Sequence, residues 1–537
     1  MNNKGLAITS IIVLATIKAE GAEIDITPSL STNVSYVERV TENRESFFIS
    51  EFSPRALLTY RSSKLVASAT VNNRNIYRGT NDNNYESYLT GSYNAQYEVL
   101  RQSLFLFANG SQQFNSVNAS NLLVDDLATN PNNLTKTRRN TGGLSVTRLG
   151  NSWVRLSGNA SMSLFESERN SRDETAFDVQ TYQSNFNLTS GERFSFLRWN
   201  FTNNYQKTER VEGFDTERRT NAANIDFSLS NAFFLVIGAR ESKQDLNREF
   251  GVDTFRSYNA GIMYQTQRSR VRIAYNSVDR QSNFSNNDDS RFYSVDFNFQ
   301  LSPRTNLYGR KNQAFFGDTE SFTLNYASRK LRLAASYSEQ FTSNSTIFED
   351  GVNGVFVCPE NFLTIDDCFV PDTLDYELQP GEQFTDLSTF QDSINDSDRV
   401  RKSWVFNTGY QFNRVTLSVQ GRRLQSRFFD DTPNSLQHSI STNLVARIGV
   451  STSLNAGVSY IKTEFDSKER PDSESYLANI GLNFRVRNEL TLRIQGQYRE
   501  LESLGTIGNY QERRMLLTLF YSPVGRGQNQ PNNNQGL

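Results

Sequence analysis

The only histidine of the chain, His438, is the first candidate for chemistry, because two serines follow it closely. Hydrolysis by a histidine and a serine requires both side chains on one face, within hydrogen-bond reach. Successive side chains of a strand point to opposite faces, so Ser439 and Ser441 point away from His438, while Ile440 shares its face. The pattern predicts a rim histidine without a catalytic partner. We therefore expect a protein that is not an enzyme.

The two cysteines, Cys358 and Cys368, are the second candidate. No histidine lies near them in the sequence, so their spacing does not favour a zinc site. The chain begins with a secretory leader, described below, and secreted proteins reach compartments that oxidise thiols. We expect a local disulfide between Cys358 and Cys368, and we expect no metal or cofactor.

Charged residues that alternate with apolar ones form the third candidate. The set consists of Glu51, Arg55, Arg155, Asp226, Arg272, Asp296, Arg447, Arg485 and Arg493. On a face that met lipid, each arginine near the midplane would cost about 2–4 kcal/mol, so we expect these side chains to face a lumen. Two interpretations stay open. The charges pair across strands as a hydrogen-bond network, or they form, with Asn and Gln, a track for an anionic or hydroxyl-rich solute.

The elements that position these residues are short segments with a period of two. In the first segment, apolar and polar parities separate clearly: Ile24, Ile26, Leu30, Val34 and Tyr36 against Asp25, Thr27, Ser29, Ser31, Asn33 and Ser35. The alternation recurs along the chain to the segment 515–521, and each segment predicts a strand with one apolar and one polar face. The fold class is therefore all-β: one large antiparallel up-and-down transmembrane barrel of about 24 strands (22–26), without a plug domain.

The connections between the predicted strands alternate in length. Short turns are expected at 61–64, 149–152, 301–304, 412–414 and 486–489, and longer polar loops at 75–83, 116–138, 279–290 and 343–399. Short periplasmic turns and long outer loops are typical of membrane barrels, and both ends of the barrel then lie on the periplasmic side. The stretch 306–326 shows the weakest pattern. The acidic run 286–289 is interpreted as a solvated turn, since it lacks the spacing of a calcium loop.

The two ends of the chain differ from the barrel pattern. Residues 1–22 combine Lys4, an apolar run from Leu6 to Ile17 and the small residues Ala19, Gly21 and Ala22, which predicts a signal peptide cleaved after Gly21 or Ala22. Residues 23–523 form the predicted barrel, and 524–537 a polar periplasmic tail. No apolar run is long enough for a membrane helix. The expected location is the outer membrane of a Gram-negative bacterium.

The balance of charges disfavours nucleic acid as a partner. The 537 residues include 56 basic and 58 acidic ones, for a formal net charge of -2, and no basic stripe emerges. Nucleic-acid binding is therefore disfavoured. The expected partners are outer-membrane lipid and lipopolysaccharide.

The sequence combines four features: a predicted signal peptide, strands that begin at Glu23, many hairpins, and a polar inner parity rich in Arg and Asn. In this combination the chain resembles the exosortase (PEP-CTERM) system-associated outer-membrane proteins and, more loosely, the putative beta-barrel porins of exopolysaccharide gene clusters. The resemblance implies a link to export or surface assembly of extracellular polysaccharide, with components of those systems as partners. It carries over no functional residue.

Two functions follow as hypotheses. The first is a wide outer-membrane channel for polysaccharide or other polar solutes, gated when the loop 343–399 folds inward. The second is a non-conducting surface or assembly protein, whose lumen is filled and whose outer loops bind a partner.

Overall fold

The computed structural model describes residues 22–40, 44–79, 84–116, 126–168, 178–211, 215–245, 252–281, 291–314, 316–342, 356–359, 382–385, 399–429, 432–467, 471–503 and 509–523. The predicted signal peptide, except Ala22, the acidic run 286–289 and the tail 524–537 lie outside these residues. Most of the loop 343–399 also lies outside them.

The described residues up to Ala314 form fifteen strands. They are β1 (Glu23–Val40), β2 (Arg44–Arg61), β3 (Leu65–Arg78), β4 (Asn84–Leu100), β5 (Leu104–Ser116), β6 (Leu134–Gly150), β7 (Val154–Ser167), β8 (Asp178–Ser190), β9 (Leu197–Arg210), β10 (Thr216–Ser228), β11 (Phe233–Asp245), β12 (Val252–Gln265), β13 (Ser269–Gln281), β14 (Arg291–Ser302) and β15 (Thr305–Ala314). A short 3-10 turn, Pro131–Asn133, precedes β6. The loop predicted at 116–138 is therefore shorter than expected, because β6 starts at Leu134.

The second half adds the remaining strands. They are β16 (Gly317–Ala327), β17 (Leu331–Thr342), β18 (Phe356–Pro359), β19 (Glu382–Thr385), β20 (Arg399–Phe412), β21 (Val415–Phe428), β22 (Ser435–Arg447), β23 (Thr452–Phe465), β24 (Ser473–Arg487), β25 (Leu490–Ser503) and β26 (Tyr510–Tyr521). β18 and β19 pair only with each other.

All other strands belong to one antiparallel sheet of 24 strands. Each strand pairs with its neighbours in the chain, and the sheet closes because β1 pairs with both β2 and β26. At the seam, Leu30 lies opposite Tyr521 and Val40 opposite Gln511. Closure gives both edge strands a partner, which a sheet in hydrocarbon requires. The predicted up-and-down barrel and its strand number are confirmed.

The alternation of the sequence places apolar side chains on the outer face. In β1, Val34 and Tyr36 are 49% and 42% exposed, while Ser35 and Val37 are 1% and 0% exposed. The register keeps this parity across the sheet: Tyr36 lies opposite Phe48 on β2 and Met515 on β26. Exposed Leu, Ile, Val, Phe and Tyr on the convex side are what a lipid-facing wall requires.

The connections have different lengths at the two ends of the barrel. At one end lie mostly tight turns, including 62–64, 101–103, 151–153, 266–268, 303–304, 413–414 and 488–489. β1 begins and β26 ends at this end, as predicted for the periplasmic side. The weakly patterned stretch 306–326 forms the hairpin β15–β16, whose short outer turn is followed by Gly317 with φ of +125°. A positive φ of this size is easily reached only by glycine.

Among the described residues, no helix has the length and apolar content needed to cross a membrane.

Candidate functional site

The polar parity lines the concave side of the wall, because its side chains reach across several strands. Arg272 on β13 donates to Asn224 on β10 at 3.0 Å, and Arg198 on β9 donates to Gln265 on β12 at 3.3 Å. Side chains on a convex surface diverge, so contacts of this reach occur only inside. This face is the lumen, and it is the candidate functional site.

The charged residues singled out in the sequence all carry the parity of this inner face. They are Glu51, Arg55, Arg155, Asp226, Arg272, Asp296, Arg447, Arg485 and Arg493. Several have close partners: Glu51 accepts from Arg74 Nε at 2.7 Å, and Arg493 donates to Asn483 at 2.8 Å. Glu51 has only 5% of its surface exposed. Pairing across strands therefore accounts for part of the set.

Lysine and arginine differ in which face of the described strands they occupy: lysines occur on the outward face, whereas arginines occur on both faces. Every lysine of the described strands has the outward parity: Lys136, Lys207, Lys243, Lys311, Lys402 and Lys462. Each has a glutamate partner, at N–O distances from 2.6 to 4.0 Å. The cations of the inner face of these strands are arginines. A planar, weakly hydrated guanidinium suits a confined hydrogen-bond network, whereas a strongly hydrated ammonium suits the membrane–water interface.

A track of alternating charges runs along the inner wall from β9 to β15. Arg198 lies 3.8 Å from Asp226, and Arg310 lies 3.9 Å from Asp296. Arg272 lies between the two aspartates and interacts with both. The aspartates are shared among more arginines than they can neutralise, so this part of the wall has a net positive charge.

The same part of the wall contains two arginines that have no carboxylate partner among the described residues. Within the described part of the chain, Arg240 on β11 forms no hydrogen bond or ion pair, and its charge neighbours are Arg218 and Arg310. Arg218 on β10 lies 5.9 Å from the ring centre of Phe341. Like charges in a partly dehydrated wall repel one another. An anion placed between Arg218 and Arg240 would relieve this repulsion.

A glycine keeps Arg272 in place. Gly238 lies between Asn224 and Asn259 on the neighbouring strands. The two amides converge over it, and Arg272 Nη2 donates to both Oδ1 atoms, at 3.0 and 2.9 Å. A Cβ at position 238 would lie 2.5 Å from the Asn224 oxygen. Only glycine leaves room for this arrangement.

A second element inside the lumen is the segment 126–133, which we call the inner clasp. Its first residue, Asp126, lies 2.7 Å from Arg514 on β26 and 3.2 Å from Arg499 on β25. Burial would raise the pKa of the Asp126 carboxyl, but the positive charges of Arg499 and Arg514 outweigh it and hold this pKa well below its usual range. Asp126 also accepts from the backbone N–H of Ala128 at 3.0 Å.

The rest of the inner clasp lies against β1, β2 and β3. Arg78 donates to the backbone oxygens of Leu127 and Ala128, at 2.6 and 2.7 Å. These two residues are 7% and 0% exposed, and they pack on inward apolar side chains: Val37, Ile49 and Ile76. The inner clasp therefore bridges the β1–β26 seam and occupies space at the outer end of the lumen.

A separate apolar cluster occurs at the outer ends of β12 to β15. Phe255, Val278 and Ala314 are buried together, and partly buried phenylalanines pack against them: Phe292, Phe316, Phe341 and Phe429. Arg280 lies 5.5 Å from the Phe255 ring centre. The sequence analysis missed this cluster and the inner clasp, because inward apolar residues at strand ends break the simple polar-inside pattern.

The remaining candidates lie away from the lumen or outside the described residues. His438 has the outward parity and lies opposite Lys462, whereas Ser439 and Ser441 are buried on the inner side. Cys358 is buried and disulfide-bonded, and Cys368 lies outside the described residues, so its pairing with Cys358 stays a prediction. The described side chains include no group of three metal-ligating residues.

No family model matches the chain, and no curated protein matches it. Among solved structures, it is similar to the FrpB iron transporter from Neisseria meningitidis (F5-1 variant), with 10% identity, a TM-score of 0.45 and coverage of 93% of this chain and 83% of that one. The siderophore receptor PirA from Pseudomonas aeruginosa has 9% identity and a TM-score of 0.39, over 93% and 80% of the chains. OccK2 (OpdF) from Pseudomonas aeruginosa, in complex with glucuronate, has 8% identity and a TM-score of 0.34, over 93% and 98%. The likeness is one of barrel fold, and nothing about ligands is inferred from it.

Proposed function

We propose that this protein is an outer-membrane channel for polar, negatively charged solutes. The observation that supports it is a closed sheet of 24 strands with an apolar outer face and an arginine-rich inner face. Such a wall matches lipid outside and water inside. Barrels of about 16–18 strands already enclose an aqueous channel, so this circumference is sufficient.

The arginine track supports a preference for anions. Among the described residues, Arg218 and Arg240 have no carboxylate partner, and Gln206 and Gln244, which lie opposite Arg218 on the neighbouring strands, can bind hydroxyl groups. An acidic polysaccharide carries both anionic groups, which arginine can bind, and hydroxyl groups, which the amide side chains can bind. The resemblance to exopolysaccharide-linked barrels favours export of such a polymer, with polysaccharide export or exosortase-system components as partners.

Ion selectivity in planar bilayers tests this proposal. In a salt gradient, the wild-type channel is expected to pass chloride better than potassium, because the wall repels cations. Arg240→Glu should reduce or reverse that preference. Arg423→Glu makes the same charge change on the outward face of β21 and should leave the preference unchanged. A cation-selective wild type would refute the proposal.

The non-conducting surface protein stays the rival, and a specific observation favours it. The inner clasp and the Phe255 cluster both occupy the outer end of the lumen. Liposome swelling with neutral sugars separates the two functions: a filled barrel passes no sugar, even after Asp126→Asn releases the inner clasp.

The gate predicted at 343–399 lies mostly outside the described residues. Its deletion should raise conductance if that loop closes the channel.

A further inference from the structure

An apolar groove crosses the outer face of the barrel beside the seam. It has a volume of 760 Å³ and extends over β22 to β26 and β1. Its floor consists of Ala456, Ala478 and Gly496, and larger side chains rise on its sides: Tyr36, Tyr498 and Met515. The register gives all of these the outward parity, since Gly496 lies between Ile480 and Met515, both exposed.

The floor of the groove is a real depression in the lipid-facing wall. A Cβ at Gly496 would meet only Met515 Sδ at 3.8 Å and Ile480 Cγ2 at 3.9 Å, which are ordinary contact distances. No side chain of the described residues fills this space. An unfilled depression loses dispersion contacts on one side, whereas a flexible hydrocarbon chain lying in it restores them.

A cation that forms no ion pair among the described residues lies at the outer end of the groove. Arg513 is exposed, has the outward parity, and forms no hydrogen bond or ion pair within the described part of the chain. Its neighbour across the seam, Glu38, is already bound to Arg44. The outward lysines differ, since each has its own glutamate.

We propose that this groove binds one molecule of the phosphorylated glycolipid of the outer leaflet. An acyl chain lies over Ala456, Ala478 and Gly496, and a phosphate of the headgroup binds the Arg513 guanidinium. Tyr498 and Tyr36 line the groove, and tyrosine is a residue type that favours the membrane interface. The guanidinium fork fits phosphate oxygens in a bidentate manner. The inference depends on insertion in the membrane and is independent of channel activity.

Native mass spectrometry of the detergent-purified full-length protein, with added bis-phosphorylated lipid A, tests the site. The wild type is expected to retain one lipid A. Arg513→Gln, which removes the charge, and Gly496→Leu, which fills the floor from a position where a Cβ has only ordinary contacts, should each weaken binding by about tenfold, the effect of one lost strong contact. Lys462→Gln is the matched control, because Lys462 is outward but paired, and it should bind as the wild type does.

Two controls make a loss of lipid A binding interpretable: a test of folding and a lipid without phosphate. Folded protein is selected for every variant by heat-modifiable migration, so loss of binding cannot come from misfolding. Lipid A without phosphate should bind Arg513→Gln and wild type equally and weakly. Equal retention of lipid A by wild type, Arg513→Gln and Gly496→Leu would overturn the site, and so would equal displacement by phosphatidylethanolamine.

Discussion

Arg513 and Arg514 are adjacent on β26, yet they face opposite sides of the wall and have opposite surroundings. Arg514 points inward, its side chain is 4% exposed, and it lies 2.7 Å from Asp126 of the inner clasp. Arg513 points outward, is exposed and has no carboxylate partner within the described residues. The same residue type therefore serves an internal contact in one case and is left available to lipid in the other.

The contrast shows that burial determines whether a charged side chain stabilises the protein or is available to bind a ligand. The guanidinium of Arg514 is packed among protein groups and is held by a carboxylate, because an uncompensated buried charge is costly. A guanidinium at the membrane interface can keep its hydration or exchange it for a phosphate. Arg514 therefore stabilises the wall, whereas Arg513 is available to bind a ligand.

The largest effect on conductance and on the unfolding temperature is expected from Asp126→Asn. It leaves Arg499 and Arg514 buried near each other with the more distant carboxylate of Glu512, 3.8 Å from Arg499, in place of Asp126. Breaking a buried pair costs about 3–5 kcal/mol. The inner clasp should detach, so conductance should rise and the temperature of heat-modifiable unfolding should fall. Asp226→Asn removes a looser pair, at 3.8 Å from Arg198, and should change both quantities less. Equal effects of the two variants would contradict an anchoring role for the inner clasp.

The inner clasp should resist mild acid. The folded-state pKa of Asp126 is lowered, so its contribution is complete above the unfolded-state pKa of about 3.9 and is lost only as pH falls through the still lower folded-state pKa. Conductance and unfolding temperature should therefore stay constant between pH 7 and about pH 5, the part of the scale above both values. A conductance increase in that range that Asp126→Asn abolishes would contradict this prediction.

A smaller effect on stability and on anion selectivity is expected from a substitution on the inner wall away from the inner clasp. Gly238→Ala places a Cβ 2.5 Å from Asn224 Oδ1, so the amide must move and Arg272 loses a hydrogen bond. The cost should be about 1 kcal/mol, with reduced anion selectivity in bilayers. Gly421→Ala is the matched control, since its Cβ meets nothing within 4 Å. The idea is wrong if both alanine variants behave alike.

The smallest effect is expected on the outer face. Lys462→Gln breaks ion pairs with Glu464 and Glu474, at 2.9 and 3.8 Å. Pairs this exposed contribute at most about 1 kcal/mol. The unfolding temperature should hardly change, whereas Arg514→Gln on the inner face should lower it clearly. A large loss in Lys462→Gln would erase the distinction between the two faces.

The strands were predictable because their signal is local. The alternation of Ser35 and Tyr36, continued from strand to strand, predicts which side chains face lipid, and turn lengths predict how the strands connect. The parity of Arg272 and Asp296 also follows from such counting. The inner clasp could not be found in this way, because Asp126 lies 373 and 388 positions from its two arginines.

The amino-acid sequence alone predicted a closed barrel of about 24 strands and the polarity of each face, because a period of two separates the apolar side chains from the polar ones along every strand. Tertiary structure alone decided which charges have partners and where the wall is hollow. Alternation along β26 places Arg513 and Arg514 on opposite faces, but only the tertiary structure brings Asp126 of the inner clasp to Arg514 and leaves Arg513 without an ion pair among the described residues. Such differences depend on strands brought together by closure, and closure joins residues from opposite ends of the chain.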